Sequence, residues 1–340
     1  AELMVKEGRA DLVAFGRQSL ADPAMPKKAL EERLEDMTPC IACLQGCVAN
    51  MYAGNPVCCL TNPFLGHEAE PLEKAENPKK VMVIGGGVAG LCAAFIAKER
   101  GHEVTLYEAG DVLGGNMRLA AYPPGKGDIT NMIRSYIHRC QKDGVKIVMN
   151  CEVTPELIKE EKPDSVIIAT GSKTLILPIE GIDNPAIIHG SDLLDGKRAA
   201  GKKVLVVGGG MVGCETAAFL GEQEHDVTVI EFRDTVGADV IHEHRVYLMK
   251  DFEDYGIKEI TGAKVCKFYE DGVEYETADG VRHETRGYDS VILSMGFRNY
   301  NPLEEKIKDL VPETHVIGDA IRARRALDAT KEAYAVASKL

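Results

Sequence analysis

Three absences narrow the reading of this chain of 340 residues before any motif is weighed. No window approaches 18 uninterrupted apolar residues, which argues against a transmembrane helix. No block of Lys and Arg occurs in a chain with 40 basic and 53 acidic residues, so the basic stripe of a nucleic-acid groove is missing. The opening AELMVKEGRADL lacks the basic start and apolar run of a secretory signal. It reads instead as an amphipathic helix that begins in mid-pattern and without Met, which points to a fragment of a longer protein. With 45% hydrophobic and 27% charged residues the composition is globular, and the length suggests two or three packed units.

Ten cysteines are present, and five of them fall between positions 40 and 59. In a chain without an export signal this clustering indicates metal or redox chemistry in a reducing cytosol rather than a disulfide framework. The nine histidines show no H-x₃-H pair, and His242 and His244 stand two apart, so they do not share a helix face. All nine read as surface groups.

The strongest pattern begins at Lys79, in KKVMVIGGGVAGLCAAFIAKERGHEVTLYEAG. An apolar β-branched run leads into Gly85, Gly87 and Gly90 with G-x-G-x-x-G spacing, then a helical pattern, then a second strand ending at Glu108. The first glycine permits the tight turn and the second lets backbone amides approach a pyrophosphate. The third lets helix and strand pack closely, and the acid accepts from a ribose diol. The pattern returns in KKVLVVGGGMVGCETAAFLGEQEHDVTVIE, where Gly208, Gly210, Gly213 and Glu231 repeat the first set at a constant offset of 123. Two dinucleotide sites follow. Glu231 welcomes the 2′-hydroxyl of NAD and repels the 2′-phosphate of NADP, although Arg233 blunts that preference, so NADH is expected over NADPH.

Beyond the first copy lie Gly114 and Gly115, then VIIATG (166–171), and HVIGDA (315–320) near the end. This set resembles the two-dinucleotide-domain flavoproteins that include the glutathione and thioredoxin reductases. The resemblance implies FAD on the first Rossmann unit and NAD(P)H on a second unit inserted into it. By match, FAD is held by Gly85, Gly87, Val88, Ala89, Gly90, Glu108, Gly114, Gly115, Val153, Ala169, Gly171, Gly318 and Asp319. The nicotinamide nucleotide is held by Gly208, Gly210, Met211, Val212, Gly213, Glu231 and Gly296. A helix starting near Arg325 would aim its positive end at the isoalloxazine.

The disulfide-reductase pair of that family has no counterpart. The double glycine is followed by Asn116 and Met117, and Cys140, Cys151, Cys214 and Cys266 stand alone and read as small buried hydrophobes. The remaining candidate acceptor is TPCIACLQGCVANMYAGNPVCCLTNP, with Cys40, Cys43 and Cys47 followed by Cys58 and Cys59. Four thiolates suit tetrahedral zinc or an iron–sulfur cluster equally well by ligand count, and the order is not the ferredoxin run.

Upstream, DLVAFGRQSLADPAMP (11–26) reads as an apolar strand ending in Gly-Arg, then a loop and a helix. This resembles the last strand and phosphate turn of the FMN barrel of the old yellow enzyme family. The order Gly-Arg, ADP, C-x₂-C-x₃-C-x₁₁-C, NP and FAD unit is similar to that family's iron–sulfur flavoenzymes, such as 2,4-dienoyl-CoA reductase, 2-enoate reductase and trimethylamine dehydrogenase. The resemblance implies a four-iron four-sulfur cluster on Cys40, Cys43, Cys47 and Cys59, with Cys58 spare. It also implies that Gly16 and Arg17 are what remains of an FMN-phosphate site, the substrate acid and base lying in barrel sequence absent here.

The expected architecture is therefore α/β. It comprises the end of a (β/α)₈ barrel (1–38), a cluster segment and linker (39–78), an FAD domain (79–195 and 286–340) and an inserted NAD(P)H domain (196–285). PPGKGDI (123–129) reads as a structural loop and HEAEPLEKAENPKK (67–80) as a solvated linker. The expected partners are nicotinamide nucleotide and the missing FMN barrel, with neither nucleic acid nor membrane. A homo-oligomer is compatible with the sequence. The expected function is electron input from NADH through FAD and the cluster to FMN, in an enoate or dienoyl-CoA reductase. Two alternatives are an amine-dehydrogenase-type protein whose second site is a remnant, and a zinc-stapled nucleotide-binding redox module.

Overall fold

The computed structural model describes residues 1–340. The β-branched runs become strands buried on both faces, as parallel sheets covered by helices require. β1 (Lys80–Ile84), β2 (Glu103–Tyr107), β3 (Lys146–Val148) and β4 (Ser165–Ile168) pair in parallel, and β5 (Ser172–Thr174) leads away from them. β6 (Ile187–His189), β7 (Lys203–Val207), β8 (Asp226–Ile230) and β9 (Lys258–Ile260) belong to a second parallel sheet. An antiparallel meander of β10 (Lys264–Tyr269), β11 (Gly272–Glu276) and β12 (Arg282–Thr285) precedes β13 (Ser290–Leu293), which slots between β6 and β7. β14 (Phe297–Asn299) then pairs with β5 as a two-stranded ribbon, and β15 (Glu313–Val316) completes the first sheet beside β4.

The sheet orders are β15-β4-β1-β2-β3 and β6-β13-β7-β8-β9, so the second unit repeats the arrangement of the first and is inserted within it. The expected limits of the insertion, 196 and 285, need correction. β6 and β13 both pair in the second sheet, which reaches from 187 to 293. Val291, Ile292 and Leu293 are fully buried there, and without β13 the apolar edge of β7 would lie uncovered.

Helix α1 (Val88–Glu99) is buried from Val88 to Ala97, because it is sandwiched between the first sheet, α2 (Ile129–Lys142) and the C-terminal helix. α3 (Met211–Glu222) is its counterpart in the second unit, packed against α4 (His242–Asp254), while α5 (Ala326–Ala337) closes over α1. Phe95 and Tyr136 meet edge to face at 5.1 Å in the first core.

Residues 11–16 form no strand, contrary to the expectation for a barrel edge; Leu12 is 89% exposed and Phe15 44%. An apolar run becomes a strand only where a neighbour satisfies its backbone groups, and none is beside it. The segment holds instead through helices Arg17–Ala21 and Met25–Leu30 and through side chains that reach the cysteine-rich loop. Gln18 accepts from the Cys40 amide at 2.8 Å and donates to the Thr38 carbonyl at 2.9 Å.

Asp36 fastens this segment to α2. Its carboxylate meets Lys142 at 2.5 Å, His138 at 3.0 Å and Arg33 at 2.8 Å, and these partners, Lys142 foremost, hold its pKa well below the ordinary carboxylate range. A depressed carboxylate contributes stability above its unfolded pKa and loses it as pH falls through the folded value. Asp36→Asn should therefore cost about 1 kcal/mol above roughly pH 5, the difference shrinking below about pH 4. Thermal melts across that range check it.

Candidate functional site

The two glycine loops have the same geometry. Gly85 and Gly208 adopt φ of +106° each, and a Cβ on them would stand 2.3 Å from the Ala169 carbonyl oxygen and 2.4 Å from that of Ser294. A Cβ on Gly87 would point into open space, the side from which a pyrophosphate could approach the backbone. Glu108 accepts from the amides of Gly86 and Gly110, both at 2.7 Å, and Glu231 from those of Gly209 at 2.5 Å and Arg233 at 2.9 Å. Each acid is thus fixed at the lip of its glycine loop with lone pairs to spare.

Val88 and Ala89 open α1, Met211 and Val212 open α3, and Gly114 sits in an isolated bridge with Gly87. Gly115, with φ of +54°, faces the Gly87 backbone. Ala169 packs its carbonyl on Gly85, and Gly171 and Gly296, both with positive φ, stand at the two ends of the β5–β14 ribbon. Gly318 donates its amide to Glu332 on α5 at 2.7 Å. Asp319 accepts from the Ser172 hydroxyl at 2.8 Å and the Arg324 amide at 3.0 Å. Val153 differs from the others: it is core, packed with Ile84 and Ala320. Arg325 is the N-cap residue of α5, and its backbone amide donates to the Asp328 carboxylate at 3.2 Å.

Cys40, Cys43, Cys47, Cys58 and Cys59 line one cavity, together with Arg17, Leu20, Ile41 and Leu60. Gly16 precedes Arg17 at the start of its short helix. Burial foremost pushes the Cys43 thiol up to about 11, and the thiols that add to this are those of Cys59, Cys47 and Cys40. Cys58 is not among them; its sulfur accepts from Asn50 at 3.3 Å and packs on Gly46. Ala42 and Leu44 adopt φ of +52° and +57° on either side of Cys43. Such alternation turns successive amides inward and forms a concavity for an anion. No three Cys, His, Asp or Glu side chains converge as ligands of a single ion.

Several inter-unit contacts carried no sequence signal. The loop 123–129 joins the units through Lys126 and Glu215, 2.7 Å apart. Gln45 accepts from the Leu327 amide of α5 at 3.3 Å. His244 pairs with the Ala42 carbonyl at 3.1 Å, and His102 is 1% exposed with its Nδ1 accepting from the Lys79 amide, so neither is the expected surface histidine. Of the isolated cysteines, Cys140 and Cys214 are buried, whereas Cys151 and Cys266 are half-buried. The linker 67–80 is largely exposed, though His67 stacks on Tyr334 at 4.3 Å.

Residues 79–313 match the family described as Pyridine nucleotide-disulphide oxidoreductase. An NADH oxidase of Thermoanaerobacter brockii is 36% identical over 346 residues, covering 99% of this chain and 53% of its own. A cinnamate reductase of Clostridium sporogenes is 34% identical over 340 residues, covering 99% and 50%. A solved 2-naphthoyl-CoA reductase–2-naphthoyl-CoA complex superposes with a TM-score of 0.95 at 34% identity, over 100% of this chain and 52% of that one. The chain spans about half the length of the curated relatives it matches. No helix is long and apolar enough to cross a membrane. The chain belongs to the pyridine nucleotide-disulphide oxidoreductase family.

Proposed function

We propose that this chain is the electron-input part of a longer reductase, taking hydride from NADH and passing single electrons toward an FMN barrel. The observation that carries it is the placement of two equivalent glycine cradles and a thiol-lined cavity within one fold, the cluster loop bonded to both nucleotide units through Gln45 and His244. When bound, flavin supplies the conversion between a hydride and single electrons that an iron–sulfur centre can carry.

The first unit holds FAD, Gly85, Gly87 and Gly90 admitting its pyrophosphate, Glu108 its ribose and Asp319 its ribityl region. The second holds the nicotinamide nucleotide, with Glu231 placing a carboxylate where a 2′-phosphate would come, so NADH is preferred. Cys40, Cys43, Cys47 and Cys59 hold a four-iron four-sulfur cluster. Ligand count suits zinc equally well, and the reading of a cluster is supported by the resemblance of the C-x₂-C-x₃-C-x₁₁-C order to the iron–sulfur flavoenzymes. Gly16 and Arg17 belong to the FMN-phosphate turn of the barrel, and the clustered free thiols suit a reducing cytosol. In the longer enzyme the electrons reduce an activated carbon–carbon double bond, a reading supported by the names of the cinnamate and 2-naphthoyl-CoA relatives.

A visible spectrum of the purified protein before and after NADH tests this. Expected are flavin and iron–sulfur absorption that bleach with NADH, and more slowly or incompletely with an equal concentration of NADPH. A folded, flavin-loaded protein that NADH leaves unbleached would remove the proposal.

A further inference from the structure

The duplication extends past the two acids. In the first unit the Gly114 amide donates to the Gly86 carbonyl at 2.8 Å, and in the second Gly237 donates to Gly209 at 2.7 Å. Two residues farther on, at the same offset of 123, stand Asn116 and Asp239. The Asn116 side-chain amide makes no bond to the amides that open α1; it donates to the Ser172 carbonyl and hydroxyl oxygens at 3.3 and 3.4 Å, and Ser172 in turn bonds Asp319. Asp239 does the opposite. Its Oδ1 accepts from the Met211 amide, the first of α3, at 2.8 Å, and its carboxylate oxygens lie 3.5 and 3.6 Å from where a Cβ of Gly210 would stand. The Arg325 guanidinium donates to the Asp239 carbonyl at 2.8 Å and keeps this loop over the cradle.

We propose that Asp239 sets the affinity of the second nucleotide site, its carboxylate holding the amide that a bound pyrophosphate takes; this rests on reading the second unit as the nicotinamide site. A carboxylate is favoured at a helix N-terminus for the same reason a phosphate is, and two anions cannot share one amide. A dinucleotide entering the second unit therefore displaces Asp239, whereas FAD entering the first meets a neutral Asn116 bonded instead to Ser172. Two nearly identical grips thereby differ in function: one retains a cofactor and the other releases a spent substrate.

Calorimetric titration of the whole flavin-loaded chain with ADP-ribose, which carries the pyrophosphate but no hydride, tests this against adenosine, which lacks phosphate. Asp239→Asn keeps the shape and an acceptor for Met211 while removing the charge. It should tighten ADP-ribose roughly three- to tenfold and leave adenosine unchanged. Asp239→Ala should shift ADP-ribose in the same direction despite the lost helix cap, which a thermal melt would register separately. ADP-ribose affinity that is unchanged or weaker in Asp239→Asn overturns the proposal, and a weaker value would make Asp239 a contact to the nucleotide. A folded wild-type chain that binds no ADP-ribose at all overturns the reading of the second unit itself, and the proposal with it.

Discussion

Cys59→Ser should strip the protein of the iron–sulfur centre proposed for it, while Cys58→Ser should leave that centre in place. The two thiols are adjacent in sequence and line the same cavity, so proximity alone does not separate them. Their orientation does. Cys59, with Cys40 and Cys47, is among the thiols whose charge bears on half-buried Cys43, and its sulfur also meets the Thr61 hydroxyl at 3.3 Å. Cys58 instead lies against Gly46, its sulfur engaged by Asn50 and its amide donated to the Gly46 carbonyl at 2.8 Å. Without a bound cation the Cys43 thiol is a protonated group, so the proposed centre would be what makes it a thiolate. Loss of one of four ligands should reduce iron from about four per chain to well under one, with parallel loss of acid-labile sulfide. Iron content that survives Cys59→Ser and falls in Cys58→Ser would reverse the ligand set, and stoichiometric zinc in the wild type would replace the cluster by a structural knot.

The glycine loops and their acids were legible in the sequence because their constraint is local. Where a Cβ would stand within about 2 Å of a carbonyl oxygen only glycine fits, whatever surrounds it, and the spacing that results is short and repeats. The thiol set was legible as a set, though only a family resemblance separated Cys59 from Cys58. What the sequence did not carry was long-range. Gln45 to Leu327 spans 282 residues and His244 to Ala42 spans 202, and neither pairing leaves any periodicity to read. The apolar run at 11–15 fits the pattern of a strand, yet no strand lies beside it to pair with. The limits of the inserted unit slipped because Ile187–His189 and Ser290–Leu293 are short apolar runs that either sheet could take.

Gly90→Ala and Gly213→Ala should separate the two nucleotide sites from each other. A Cβ on Gly90 would stand 1.9 Å from the Gly85 carbonyl oxygen, and one on Gly213 would stand 1.8 Å from that of Gly208. Both obstacles are backbone at the tight turn, so neither can swing aside, and relief requires the helix to back away from the strand. Overpacking of this kind costs about 1–3 kcal/mol locally, which a chain with two independent cores survives. The functional loss should be larger, because the displaced helix carries the amides proposed to meet the pyrophosphate, and a displacement near 1 Å costs roughly 100-fold. Gly213→Ala should therefore purify with flavin and iron yet respond to NADH at least ~100-fold more weakly. Dithionite, which needs no nucleotide site, should still bleach its flavin fully. Gly90→Ala should emerge without flavin while still binding ADP-ribose, since the second sheet and α3 do not depend on the first turn. Normal NADH-driven bleaching in Gly213→Ala would mean that hydride does not enter through the second unit. The two variants, measured side by side, tie the order of electron entry to one glycine in each unit.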